Sequence, residues 1–174
     1  MESFKNNFEK VVLVNQYEIL KKIDPENSNH YEEIIEIIKR GYSIFYSMID
    51  EWFGTDMPSD EGEFVLDILD FYTAVELYKK NNPTDEEILN HQYSEFRGFD
   101  GNHEGQYWGF VRFLIEKQNK FSEVGALRKK HDNYNSHDKM IPTYKEIVRV
   151  WKSKGGLFPQ KREEILIPLN AVVR

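Results

Sequence analysis

Apolar residues recur every three or four positions along almost the whole chain, and proline and glycine fall between the periodic blocks. This spacing predicts helices packed on helices. The first block, about 8–23, carries Val11, Val12, Leu20 and Ile23 on one face and stops at Asp24-Pro25, where proline lacks the N–H a helix needs. The second, about 29–53, holds Tyr31, Ile34, Ile35, Ile38, Tyr42, Phe45, Ile49 and Trp52; Gly41 inside it marks either a close approach or a break into two helices. The third, about 60–80, aligns Phe64, Val65, Ile68, Leu69, Tyr72 and Val75, and Asn81-Asn82-Pro83 closes it.

Thr84 with Glu87 reads as a capping box for a short helix reaching about residue 93. A fifth helix follows Gly98-Phe99-Asp100-Gly101, with Asp100 as N-cap, and runs to about residue 119. Residues from about 120 to 139 are polar and aperiodic, which predicts a long functional or mobile loop. A last clear helix, about 142–152, turns Tyr144, Ile147, Val148 and Trp151 inward, and a segment around 163–167 packs back on the body before Pro168. The expectation is an all-α, single-domain bundle of about six helices with 153–174 a packed tail; the second and fifth are apolar almost all round, so either they are central or they meet another subunit, which makes a homo-oligomer an expectation too.

Composition removes several classes of function. The 174 residues carry 23 Lys plus Arg against 30 Asp plus Glu, a net charge of −7, which argues against nucleic acid as a partner. There is no cysteine, hence no disulfide, thiolate nucleophile or cysteine-ligated zinc. The longest clean apolar run, Val11-Val12-Leu13-Val14, is far short of the roughly 18 residues of a membrane span, and no basic-then-apolar leader opens the chain. A cytosolic protein without membrane partners is expected.

The chemistry-bearing patterns are incomplete. His103-Glu104-Gly105-Gln106-Tyr107 begins like the zinc motif H-E-x-x-H, but Tyr107 stands where the second ligand belongs. On the fifth helix, His103 and Glu104 fall within the same arc as Tyr107, Phe110, Val111 and Leu114, so both are expected to face inward, as a structural network or as a polar pocket. Gln16, with Asn15 beside it, lies on the apolar face of the first helix and needs hydrogen-bond partners there. Glu63, Asp67 and Asp70 oppose Phe64 and Ile68 and read as a solvated face, and the chain lacks the Glu-x-x-His motifs of a di-iron bundle. In the long loop, Asn133 to Asp138 gathers turn chemistry, with His137 beside Asp138. No metal ligand set and no cofactor are expected. The polar cluster to inspect is Asn15, Gln16, Tyr17, Asp100, Tyr107 and Asn135; candidate acid–base residues are Glu104, His103 and His137, with Arg112 as anion stabiliser.

Several blocks in order resemble the YfbU family of bacterial proteins: Leu-Val-Asn-Gln-Tyr at 13–17 running to Ile23-Asp24-Pro25, Ile-Lys-Arg-Gly-Tyr at 38–42, and Val-Leu-Asp-Ile-Leu-Asp-Phe-Tyr at 65–72. Phe-Arg-Gly-Phe-Asp at 96–100, Glu104, Tyr107, Gly-Phe-Val-Arg-Phe at 109–113 and the stretch 144–151 continue it. The resemblance implies an all-helical, self-associating cytoplasmic fold and supplies no reaction. The first expectation is therefore a non-catalytic regulatory or interaction module whose partner is itself or another protein. Its rivals are a hydrolase of phosphodiesterase or ribonuclease type using Glu104 and a histidine, and a single-stranded RNA binder using exposed Tyr and Trp.

Overall fold

The structure, a computed structural model, describes residues 4–50, 54, 56–156, 158–159 and 161–172. Those residues gather into two compact units, Met1–Asp56 and Met57–Arg174, each with its own core. All regular structure among them is helical, with nine α-helices where the periodicity predicts about six. No helix among the described residues is long and apolar enough to cross a membrane.

In the first unit, α1 (Asn7–Ile23) starts where the Asn6 side chain accepts from the amides of Phe8 and Glu9, satisfying donors that no helical carbonyl reaches. It ends at Asp24, whose carboxylate accepts from the Tyr31 hydroxyl at 2.6 Å and from Asn27 at 2.9 Å, tying the turn to α2 (Ser28–Arg40). The alternative left open at Gly41 resolves as a break. With φ +72°, Gly41 closes α2 in the left-handed conformation, and the amides of Gly41 and Tyr42 return to the Ile37 carbonyl. A 3₁₀ turn (Ser43–Phe45) and α3 (Ser47–Asp50) follow; Trp52, read inward from the sequence, lies outside the described residues.

The inner face of α1 differs from the expected one. Leu13, Val14 and Tyr17 pack on Ile34, Ile37, Ile38 and Tyr46, whereas Val11, Val12 and Ile23 are exposed and Asn15 and Gln16 point to solvent. The helix is apolar on two sides, and periodicity alone does not choose between them. The tight isoleucine stripe of α2 does.

The second unit is built round α4 (Ser59–Asn81), which buries Val65, Ile68, Leu69, Phe71, Tyr72, Ala74 and Val75. It starts and stops close to where the sequence puts it, with Lys79 and Lys80 in a last turn that favours positive charge. Next comes α5 (Glu86–Leu89), capped by Asp85, which accepts from the Ile88 amide; it is a single turn, and Thr84 is not its cap. The predicted fifth helix is shorter and later, since α6 spans Gly105–Arg112 and continues as a π-helical turn over Phe113–Lys117. The predicted long loop is instead anchored: α7 (Ser122–Gly125) buries Val124, and a 3₁₀ turn (Asp132–Tyr134) buries Tyr134. The four predicted inward residues of α8 (Ile141–Ser153) are all buried. The tail forms α9 (Arg162–Asn170), which runs through Pro168 and buries Ile165 and Leu169 in the same core.

Candidate functional site

The second unit's core is aromatic at its centre. Tyr144 of α8 stacks on Phe96 at 5.6 Å between ring centroids and meets Phe99 edge-on at 5.4 Å, while Tyr72 of α4 lies 5.7 Å from Phe96. These rings fix the Phe96–Asp100 segment, and the polar residues of interest hang from it. The Tyr144 hydroxyl donates to the Gly98 carbonyl (3.1 Å) and accepts from the Arg97 amide (3.2 Å). Burial drives the Tyr144 phenol far above its ordinary range, so it stays protonated and keeps donating.

The segment then runs alongside 134–136. The Phe99 amide donates to the Tyr134 carbonyl (3.0 Å), and the Ser136 amide donates to the Phe99 carbonyl (3.2 Å). Gly98 permits this approach. Its φ is +91°, and a Cβ there would sit 1.8 Å from the Tyr134 carbonyl oxygen. Asn135 adds a second tie, its side-chain oxygen accepting from the amides of Gly101 (3.1 Å) and His137 (3.2 Å).

Glu104 is the centre of the arrangement. It is buried, and its carboxylate accepts three backbone N–H groups: Asp100 at 3.1 Å and Met140 at 3.0 Å on Oε2, and Ile141 at 2.9 Å on Oε1. Met140 and Ile141 open α8, so Glu104 caps a helix 36 residues away while also closing the turn that leads into its own. The Glu104 amide in turn donates to the Asp100 carbonyl at 2.7 Å.

Asp100 is buried beside it and does not cap α6 directly. One oxygen accepts from the Asn102 amide at 2.9 Å, the other contacts His103 Nδ1 at 2.5 Å, and these bonds, Asn102 first, lower its carboxyl below the usual aspartate range. The His103 side chain is 60% exposed, contrary to the inward position expected for it, because α6 begins after it and the preceding turn swings it out. Tyr107 is partly buried against Phe99. Burial, followed by the hydrogen bond to Glu61, pushes its phenol up to about 12.

The remaining candidates are elsewhere. Arg112 lies over the Trp108 ring at 4.8 Å and forks onto Glu116 with two 3.2 Å bonds; it is not aimed at Glu104. His137 is exposed, pairs with Asp132 at 2.9 Å rather than with Asp138, and sits in a left-handed backbone conformation. Asn15, Gln16 and Tyr17 belong to the first unit, where Tyr17 packs near Tyr31. Of the proposed polar cluster, Asp100, Tyr107 and Asn135 lie near the acid–base candidate Glu104; Glu104 and Asn135 hold backbone amides, Asp100 holds the Asn102 amide and His103, and Tyr107 bonds to the Glu61 side chain. Among the described residues no group of three His, Asp or Glu side chains stands where it could share a metal ion. Asp67 pairs with Lys152 at 2.6 Å.

Two parts of this network lack a sequence signal strong enough to find them. Tyr144 reads as one more inward aromatic, and nothing in its spacing announces the hydroxyl clamp. Asp85 reads as a residue next to a cap, yet it accepts from Ile88, from the Tyr78 hydroxyl at 3.0 Å and from Arg162 at 2.8 Å, joining α4, α5 and α9. The glycine inside Phe96-Arg97-Gly98-Phe99 was the available hint of a close backbone approach.

Comparison with known proteins agrees with the blocks that carry the resemblance. The chain matches the YfbU domain over residues 5–171. It is 52% identical over 168 residues to the UPF0304 protein MJECS11 of Methanocaldococcus jannaschii, covering 95% of this chain and 99% of that protein. That relative is archaeal, so a purely bacterial scope for the resemblance is not upheld. The Glu104 network, the Gly98 crossing and the helices from Asn7 to Asn170 all fall within the matched span, and this chain belongs to the YfbU family.

Proposed function

We propose that this protein is a non-catalytic helical module that self-associates and works through protein contacts. One observation carries the reading: exposed large apolar side chains are concentrated in the first unit. Phe8, Val11, Val12, Ile19, Ile23, Tyr42, Ile44 and Phe45 are all exposed there, Phe8 at 74% and Ile44 at 81%, against five such residues among those described in the larger second unit. Apolar side chains left exposed in this number support a protein-covered surface, since soluble monomers keep large apolar patches few. The polar residues that a hydrolase would need support the same reading. Glu104 already accepts three amides, Arg112 is forked onto Glu116, and His137 faces solvent with Asp132.

Light scattering on the full chain, from about 1 to 200 µM, tests it across the affinity range of ordinary protein pairs. A mass at or above twice the 20.8 kDa chain is expected within that range. A monomer throughout refutes the reading.

A further inference from the structure

The outward face of α1 has an internal symmetry that specifies a partner. With Leu13, Val14 and Tyr17 turned to α2, the opposite side of the helix presents Phe8, Val12, Ile19 and Ile23, exposed at 74%, 41%, 53% and 71%. At 100° per residue these four lie within a stripe about 60° wide, flanked by Val11. The midpoint between Phe8 and Ile23 is also the midpoint between Val12 and Ile19, and it falls between Asn15 and Gln16, both exposed, which border the stripe halfway along it, one on each side.

We infer that two copies of this chain pair through α1, antiparallel about a two-fold axis at Asn15–Gln16; this rests on the self-association proposed above and names its geometry. A two-fold interface joins the same patch on both subunits, so each residue must find a suitable mate when the patch is reversed. Here Phe8 meets Ile23 and Val12 meets Ile19, apolar on apolar at each step. Near the axis, Asn15 faces its own copy on one side and Gln16 its own copy on the other; an amide is both donor and acceptor and can pair with itself. A parallel pairing also matches like with like, but sets Phe8 on Phe8 at one end and leaves the reversal of spacing unused.

The size also fits. The five apolar side chains expose roughly 500 Å² per copy, so two copies bury at most on the order of 1,000 Å² of them, the threshold for a specific interface, with the flanking polar residues adding to it. Shallow grooves border the stripe, one of about 390 Å³ lined by Phe4, Phe8, Val12 and Leu13 with Glu9, the other of about 610 Å³ lined by Val11, Val14 and Ile38 and rimmed by Lys10, Glu18 and Lys39. They give the partner's side chains somewhere to lie.

The absence of cysteine makes the test clean. Full-length Val12→Cys and Ile19→Cys proteins are oxidised separately and as an equimolar mixture, with light scattering on each before oxidation. Antiparallel pairing places position 12 of one copy beside position 19 of the other, and separates like positions by about 10 Å along the axis at ~1.5 Å per residue. The mixture should therefore form covalent dimer at least tenfold faster than either variant alone. Faster linkage within a single variant, or a non-covalent dimer that no combination links, overturns the geometry while leaving self-association standing. A monomeric mass overturns both. Ile19→Asp, at an exposed position that leaves the α1–α2 packing untouched, should weaken dimerisation at least tenfold with unchanged helical circular dichroism; an unaltered dimer mass at every concentration counts against the interface.

Discussion

Replacing Glu104 by glutamine preserves shape and removes one acceptor oxygen, so it measures what the carboxylate does. In the wild type both oxygens face backbone N–H groups, two on Oε2 and one on Oε1. The glutamine NH₂ must point at one of these sites, leaving at least one buried amide without an acceptor at a cost of about 1–3 kcal/mol. The remaining bonds change from charge-assisted to neutral, each losing about 1 kcal/mol. The total is about 3–5 kcal/mol, a large part of the stability of an ordinary domain, and a melting temperature lower by roughly 10–20 °C. Urea unfolding of the full chain, followed by the fluorescence of Trp108 and Trp151 in a Trp52→Phe background, reads the second unit. His103→Gln is the control. Its exposed contact with Asp100 is worth at most about 1 kcal/mol. If Glu104→Gln unfolds within about 0.5 kcal/mol of the wild type, the capping argument is wrong.

Gly98→Ala combines a φ of +91° with a 1.8 Å overlap on the Tyr134 carbonyl; thermal or urea unfolding should show a loss above about 3 kcal/mol, and a loss under 1 kcal/mol means the two segments do not cross there. Tyr144→Phe strands the Arg97 amide and the Gly98 carbonyl, and should cost about 1–3 kcal/mol in the same urea experiment. Acid should destabilise the second unit through Asp100 and Asp85. Both carboxyls are held below their ordinary range, Asp100 by Asn102 and His103 and Asp85 by Arg162 and Tyr78. A depressed folded-state pKa contributes stability that is present above the unfolded value near 3.9 and is lost as pH falls through the folded one. Urea midpoints should thus decline below about pH 4, and the decline should be shallower in Asp100→Asn; an identical slope in that variant removes Asp100 from the account.

How much of this was legible in the residues depends on what each part of the fold rests on. The long stripe of α4 and the four inward residues of α8 were readable because one apolar arc faces one core, and the helix period reports that directly. The phase of α1 was not, since Val11 and Val12 compete with Leu13 and Val14, and the tertiary partner Ile34-Ile37-Ile38 decides. The stretch 120–139 reads as loop because its anchors, Val124 and Tyr134, are too far apart to make a period. Its chain direction is also set by left-handed residues such as Asn119, Phe121 and Asn133. At the candidate site, the sequence did mark Glu104 as a polar group turned inward. It placed His103 beside it only by assuming a helix that starts four residues early. That Glu104 serves amides 36 residues away is a property of three-dimensional closure, with no local signature.

The buried polar residues of the second unit fasten backbone to backbone. Amide hydrogen exchange of the full chain, resolved residue by residue, examines those bonds without any substitution. The amides of Arg97, Phe99, Met140 and Ile141 should exchange only through global unfolding of the unit, as slowly as the α4 core at Ile68 and Leu69. Exchange of Met140 and Ile141 orders of magnitude faster than that core would mean that Glu104 stands in an open, solvent-filled site, and would contradict that role.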